Sequence, residues 1–183
     1  MSDNNPWTHR GRLVIITGPR GAGKTTLCKK LVEQARDAGW RVAGVLSLAR
    51  VVNGEKTGID VVDLSTGERR DLAVRSFTAP AEIRTIGYAF DPLAIAWANA
   101  VLANSASCDL LVVDELGPLE LRNHQGWQAG LTALDRGRYH LALAVVRPQL
   151  LEDAKRRWSG AEVVEILRVG DVSKIELKWI DRT

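Results

Sequence analysis

Lys24 and Thr25 end the run Gly18-Pro19-Arg20-Gly21-Ala22-Gly23-Lys24-Thr25, and Thr26 follows. That spacing, G-x-x-x-x-G-K-[ST], suits a loop that wraps the phosphates of a nucleotide. A triphosphate carries several negative charges. A helix N-terminus meets them with unpaired backbone N–H groups and the positive end of its dipole. Gly18 and Gly23 let the backbone approach closely where a side chain would occupy phosphate space. Lys24 is expected to reach the β- and γ-phosphates, and the Thr25 hydroxyl to ligate Mg²⁺. Pro19, Arg20, Gly21, Ala22 and Thr26 complete the expected nucleotide-binding stretch. The plain alternative is a glycine-rich turn that merely contains Lys-Thr.

A second candidate pair, Asp114 and Glu115, ends the apolar run Leu110-Leu111-Val112-Val113. An Asp at such a strand end can hold Mg²⁺ beside a phosphate loop, usually through water, because Mg²⁺ keeps most of its hydration shell. Glu115 then stands where ligands of open α/β sheets bind. A carboxylate there can orient or deprotonate an attacking water, which makes the reaction hydrolysis. The plain alternative is a pair of acids capping a solvated strand edge. Asp114-Glu115-Leu116-Gly117 also satisfies D-x-x-G, the switch pattern of signalling GTPases. The Asn-Lys-x-Asp guanine reader those proteins need is absent from the chain, so that reading is rejected. Gly117 stays among the candidate nucleotide-binding residues. Arg147 follows the apolar run Leu141–Val146, a place from which a guanidinium can stabilise charge on a γ-phosphate; the alternative is an exposed arginine at a helix start. Arg20 either lies over phosphate or faces solvent.

These residues need a scaffold, and the hydrophobic pattern describes one. Leu13–Thr17 reads as a buried strand before the loop, and Leu27, Leu31, Ala35 and Ala38 mark one face of a helix after it. Val42–Leu48 is a second strand, continued by an extended stretch to Val52. Asn53-Gly54 between β-rich runs signals a hairpin, returning through Thr57–Leu64 and, after a turn at 65–68, through Asp71–Val74. Residues 80–91 read as irregular. A helix follows from Pro92 through Ala106, then the strand ending in the acids. A helix over Gln125–Asp135, a strand over Leu141–Val146, a helix from Pro148 to Trp158 and a strand over Val163–Val169 complete the pattern. Strands alternating with helices predict an α/β fold with a doubly wound, mainly parallel sheet. The expected organisation is a leader over 1–11 and one domain over 12–183, with a β-hairpin insertion around 49–74.

Length and composition set bounds on function. The chain has 183 residues, enough for a full core, and a formal charge of +3, too small to argue for nucleic acid. Its tryptophans are scattered and not interleaved with the short basic runs, which gives no single-strand stacking platform. Cys28 and Cys108 lack metal-type spacing and read as buried thiols in a reducing compartment. No apolar run reaches transmembrane length, and the expected localisation is cytoplasmic. His9, His124 and His140 show no ligand spacing; Glu120 and His124, four apart, are weak evidence for a metal.

Gly18–Thr26, the Asn53–Leu64 hairpin, Ile86-Gly87-Tyr88 and the run Asp114-Glu115-Leu116-Gly117-Pro118-Leu119-Glu120-Leu121 together resemble the small nucleoside-triphosphatases first described from thermophiles, also called cancer-related nucleoside-triphosphatases. The resemblance covers Arg12–Arg157. It implies a RecA-like branch of the phosphate-loop NTPase fold and Mg²⁺-dependent hydrolysis of ATP, GTP and other triphosphates. It assigns Lys24, Thr25, Asp114 and Glu115 the roles argued above and makes Glu120 a site-adjacent candidate. The chain departs from the family pattern at Ala49, Lys56 and Arg147, where relatives tend to carry an acid, an arginine and a histidine, and it lacks their C-terminal Asn-Arg pair. Two other functions fit the same residues. One is a nucleotide or small-molecule kinase with a lid at Lys155–Arg157. The other is a nucleotide-gated assembly or cofactor-insertion module with a protein partner. Either a monomer or a small homo-oligomer is compatible with the sequence.

Overall fold

The computed structural model describes residues 11–76, 83–85, 87–105, 107–172 and 179–180. Nearly all of the expected leader, together with Ile86 and Ala106, lies outside them. In chain order the elements are β1 (Arg12–Thr17), α1 (Lys24–Asp37), β2 (Val42–Val52), β3 (Glu55–Asp63), β4 (Arg69–Arg75), β5 (Ile83–Thr85), β6 (Tyr88–Phe90) and α2 (Pro92–Ala103). There follow β7 (Cys108–Leu116), the single turn α3 (Pro118–Leu121), α4 (Gln128–Arg136), β8 (Tyr139–Val146), α5 (Leu151–Arg157) and β9 (Glu162–Glu165).

The described strands form one sheet in the order β5-β6-β4-β3-β2-β7-β8-β1-β9. From β2 to β9 every pairing is parallel; from β2 outward to β5 every pairing is antiparallel. The parallel strands are apolar runs because helices cover both of their faces. Their side chains alternate between two cores. Val14, Ile16, Leu110 and Val112 pack with Leu27 and Leu31 of α1. Leu13, Ile15, Leu111 and Val113 pack on the other side, with Leu102 of α2, Leu131 of α4 and Ala154 of α5. The period of two divides each strand between the layers. Among the described residues no helix is long and apolar enough to cross a membrane.

The expected α/β architecture is therefore the observed one, with corrections at element ends. β2 does not stop at Leu48 but runs to Val52, because β3 pairs with it along that length. The hairpin turns at Asn53 and Gly54, both at positive φ (51° and 81°), which a two-residue turn of this hand requires. β7 continues through Asp114 and Glu115 to Leu116, which pairs with Val146. Two short strands, β5 and β6, occupy part of the stretch read as irregular. Asn104 caps α2 two residues before its expected end, and Ala38 is the exposed cap of α1 rather than part of its buried face. The helix expected from Gln125 begins at Gln128. Pro148 opens a 3-10 turn before α5, and the last strand ends at Glu165.

Candidate functional site

β1 delivers the loop Gly18–Gly23 to the N-terminus of α1, which begins at Lys24. The Lys24 side chain folds back over the loop, its ammonium donating to the carbonyls of Gly18 (2.7 Å) and Pro19 (2.9 Å). Thr25 donates from its hydroxyl to Asp114 Oδ2 at 3.1 Å, which joins the loop to the acidic end of β7. β8 lies between β1 and β7, so the two halves meet across one intervening strand. Ser47 of β2 completes the junction: its N–H donates to Asp114 Oδ2 (3.2 Å) and its hydroxyl to the Asp114 carbonyl (2.6 Å). The peptide between Asp114 and Glu115 is cis.

Asp114 is 1% exposed. Burial, then the neighbouring Glu115, pushes its carboxyl up to about 7, against the hydrogen bonds from Ser47 and Thr25 and the charge of Lys24. A buried carboxylate and a hydroxyl at hydrogen-bond distance form a hard oxygen donor set, and a cation beside them would relieve that cost. Mg²⁺ takes one or two side-chain oxygens and keeps waters and phosphate oxygens for the rest, so Thr25 and Asp114 fit it. Among the described residues no group of three or more His, Cys, Asp and Glu side chains comes together, and Glu120 and His124 form no such cluster.

Glu115 and Arg147 face each other, Arg147 Nε donating to Glu115 Oε1 at 3.2 Å. Both side chains are about a third exposed. With Ser47 they border an open pocket whose apolar walls include Ile59, Leu72, Phe90, Ile95 and Trp127. Gly117 lines the same pocket, and its N–H is taken by the Glu120 carboxylate (2.7 Å). Arg20, exposed on the loop, donates to the Tyr88 hydroxyl at 2.9 Å, and the Lys56 ammonium lies 5.2 Å from the centre of the same ring. The loop is thus tied to β6 and approached by the hairpin.

Lys24, Thr25, Asp114, Glu115, Gly117 and Arg147 therefore lie at neighbouring strand ends. The sequence reading had no means to find Ser47, and it named Tyr88 only within the run Ile86-Gly87-Tyr88, with no contact or role. Ser47 meets Asp114 only because β2 pairs with β7, and Tyr88 meets Arg20 only through the antiparallel strands.

A family model described as NTPase matches residues 13–172 of the chain. The nucleoside-triphosphatase THEP1 of Ignicoccus hospitalis is 38% identical over 109 residues, covering 60% of this chain and 61% of that protein. The chain thus spans about three fifths of the length of such relatives. Its counterpart from Methanothermobacter thermautotrophicus is 30% identical over 147 residues, 79% of this chain and 81% of that one. Among solved structures, a human cancer-related nucleoside triphosphatase superposes with a TM-score of 0.67 at 27% identity, covering 90% of this chain and 95% of that one. THEP1 of Aquifex aeolicus gives the same TM-score at 22% identity, over 93% and 99%, a likeness of fold.

Proposed function

The chain belongs to the NTPase family, whose model spans residues 13–172, and from that premise we propose that it is a Mg²⁺-dependent nucleoside-triphosphatase that converts ATP or GTP to the diphosphate and phosphate. The observation that carries this reading is the Thr25–Asp114 hydrogen bond. It brings a phosphate loop and an acidic strand to one point, with Glu115 next in the chain and open to the pocket.

In this mechanism the loop N–H groups and the N-terminus of α1 bind the phosphates. Lys24 exchanges the carbonyls of Gly18 and Pro19 for β- and γ-phosphate oxygens. Thr25 and Asp114 would hold Mg²⁺, which neutralises charge on those oxygens when bound. Glu115 accepts a proton from a water as the new O–P bond forms at the γ-phosphorus, while the bond from that phosphorus to the bridging oxygen breaks and the diphosphate leaves. Arg147, beside Glu115, supplies positive charge to the phosphoryl group in the transition state. Arg20, tied to Tyr88, frames the loop.

The test is Mg²⁺-dependent phosphate release from ATP and from GTP by wild type, Lys24→Ala and Glu115→Gln. Wild type should release phosphate slowly from both. Lys24→Ala should lose nucleotide binding. Glu115→Gln should bind as wild type does and lose about 10²-fold or more in turnover, the scale of a general base. A wild-type protein that binds nucleotide but releases no phosphate overturns the hydrolase reading.

A further inference from the structure

Glu120 is 5% exposed, a carboxylate in a place where an apolar side chain would bury at lower cost. Its two oxygens are used on two different segments. Oε2 accepts the N–H of Gly117 at 2.7 Å, and Oε1 accepts the N–H of Trp127 at 3.2 Å. Gly117 lies two residues beyond Glu115, and Trp127 is the N-cap residue immediately before α4. One side chain thus bridges the segment that leaves β7 to the start of the following helix.

The far side of this bridge is anchored. Asn99 of α2 donates to the Gly126 carbonyl (2.7 Å) and accepts the N–H of Ala129 (2.9 Å). Gln128 donates to the Glu120 carbonyl at 3.1 Å. Gly126 sits at φ +65°, and a Cβ there would lie 1.8 Å from Glu120 Oε1, so the carboxylate fills the space a side chain would need. On the near side, a Cβ on Gly117 would stand 3.3 Å from Arg147 Nε and 3.6 Å from Glu120 Oε2. Arg147 and Glu120 therefore flank Gly117 together, while the same Arg147 Nε donates to Glu115. Burial pushes the Glu120 carboxyl up to about 7, and the N–H groups of Gly117 and Trp127 and the charge of Arg147 oppose that rise.

We propose that Glu120 is a positioning residue for hydrolysis: it clamps Gly117 to α4 and so sets Glu115 and Arg147 at the pocket mouth. The inference rests on the hydrolase reading above. Glu120 does not touch the reacting atoms in this scheme. It fixes the backbone that carries one participant and the charge that faces the other.

Glu120→Gln keeps the size of the side chain but turns an amide N–H₂ group toward one of the two backbone donors. Gly126→Ala displaces the carboxylate without changing its charge. Steady-state kinetics with ATP, equilibrium nucleotide binding and thermal melting are to be measured for wild type, both variants and the double variant. Glu120→Gln should lower kcat by about tenfold, the cost of one hydrogen bond to a charged group. Nucleotide affinity should stay within about twofold, since the phosphate loop is untouched. The double variant should be no slower than the slower single, because both changes remove the same clamp. Amide hydrogen exchange at Gly117 should accelerate in Glu120→Gln, a readout that needs no turnover and so separates failure of the clamp from failure of the hydrolase reading. The proposal is overturned if kcat falls by less than about threefold, if affinity falls in step with kcat, or if Gly117 exchange is unchanged. If Glu120→Gln does not fold, Gly126→Ala is held to the same criteria.

Discussion

Arg147 and Glu115 share one hydrogen bond with both side chains partly in water, and a pair of that kind adds about 1 kcal/mol at most to stability. It is therefore cheap to open, and the guanidinium can turn toward a phosphate. Arg147→Ala should change the melting temperature little while lowering kcat by about 10³-fold, the lower end of what an arginine contributes to phosphoryl transfer. Phosphate release and melting on the same preparation check both halves. Glu120 behaves differently, because it is buried. Its folded-state value, about 7 against an ordinary 4.5, lies above the unfolded one, so the folded state binds the extra proton between those values. Stability from this group is thus lost as pH rises through 7. On going from pH 5.5 to pH 8, nucleotide-free wild type should lose more stability than Glu120→Gln, by up to about 2 kcal/mol, in parallel urea titrations.

At the scale of elements, the antiparallel strands β3, β4 and β6 wall the pocket with Ile59, Leu72 and Phe90, so their integrity bears on the site. They are joined by charge as well as by backbone. Asp60 on β3 has a 4% exposed side chain and accepts from Arg50 of β2 at one oxygen and from Arg69 of β4 at the other. Burial pushes this carboxyl up, but the two guanidinium groups outweigh it and hold it below the usual range. Asp60→Ala would strip that counter-charge from both arginines. A cost of about 2 kcal/mol in denaturant unfolding is expected, less than for a fully buried pair because Arg69 is half exposed. Sequence reading found the hairpin itself from Asn53-Gly54, since turn chemistry is local. It missed β5 and β6, three residues each, because strands that short have no measurable period.

For the whole molecule, the phosphate loop, the acids and the pocket sit on one sheet whose two faces are covered by separate cores. A ligand that binds only this folded arrangement stabilises it by mass action. Mg²⁺ with ADP at about a hundred times its Kd should add about 2.7 kcal/mol, a rise of roughly 5–10 °C in melting temperature for a chain of this size. Lys24→Ala should abolish that rise, and scanning with and without Mg²⁺ shows whether the metal is part of it.

The amino-acid sequence by itself determined the parts whose physics is local. The glycines and Lys24-Thr25 make a phosphate loop, the apolar run before Asp114 makes a buried strand, and Asn53-Gly54 makes a tight turn. Each depends on residues within a few positions of one another, so spacing alone reveals it. Tertiary structure alone decided which distant groups share a site. Strand order put β8 between the loop and the acids, brought Ser47 to Asp114, and tied Arg20 to Tyr88. It also turned Glu120 inward to Gly117 and Trp127 and not outward toward solvent. Those contacts arise only when the sheet forms and the two cores pack, and no spacing along the chain encodes which of the parallel strands will become neighbours.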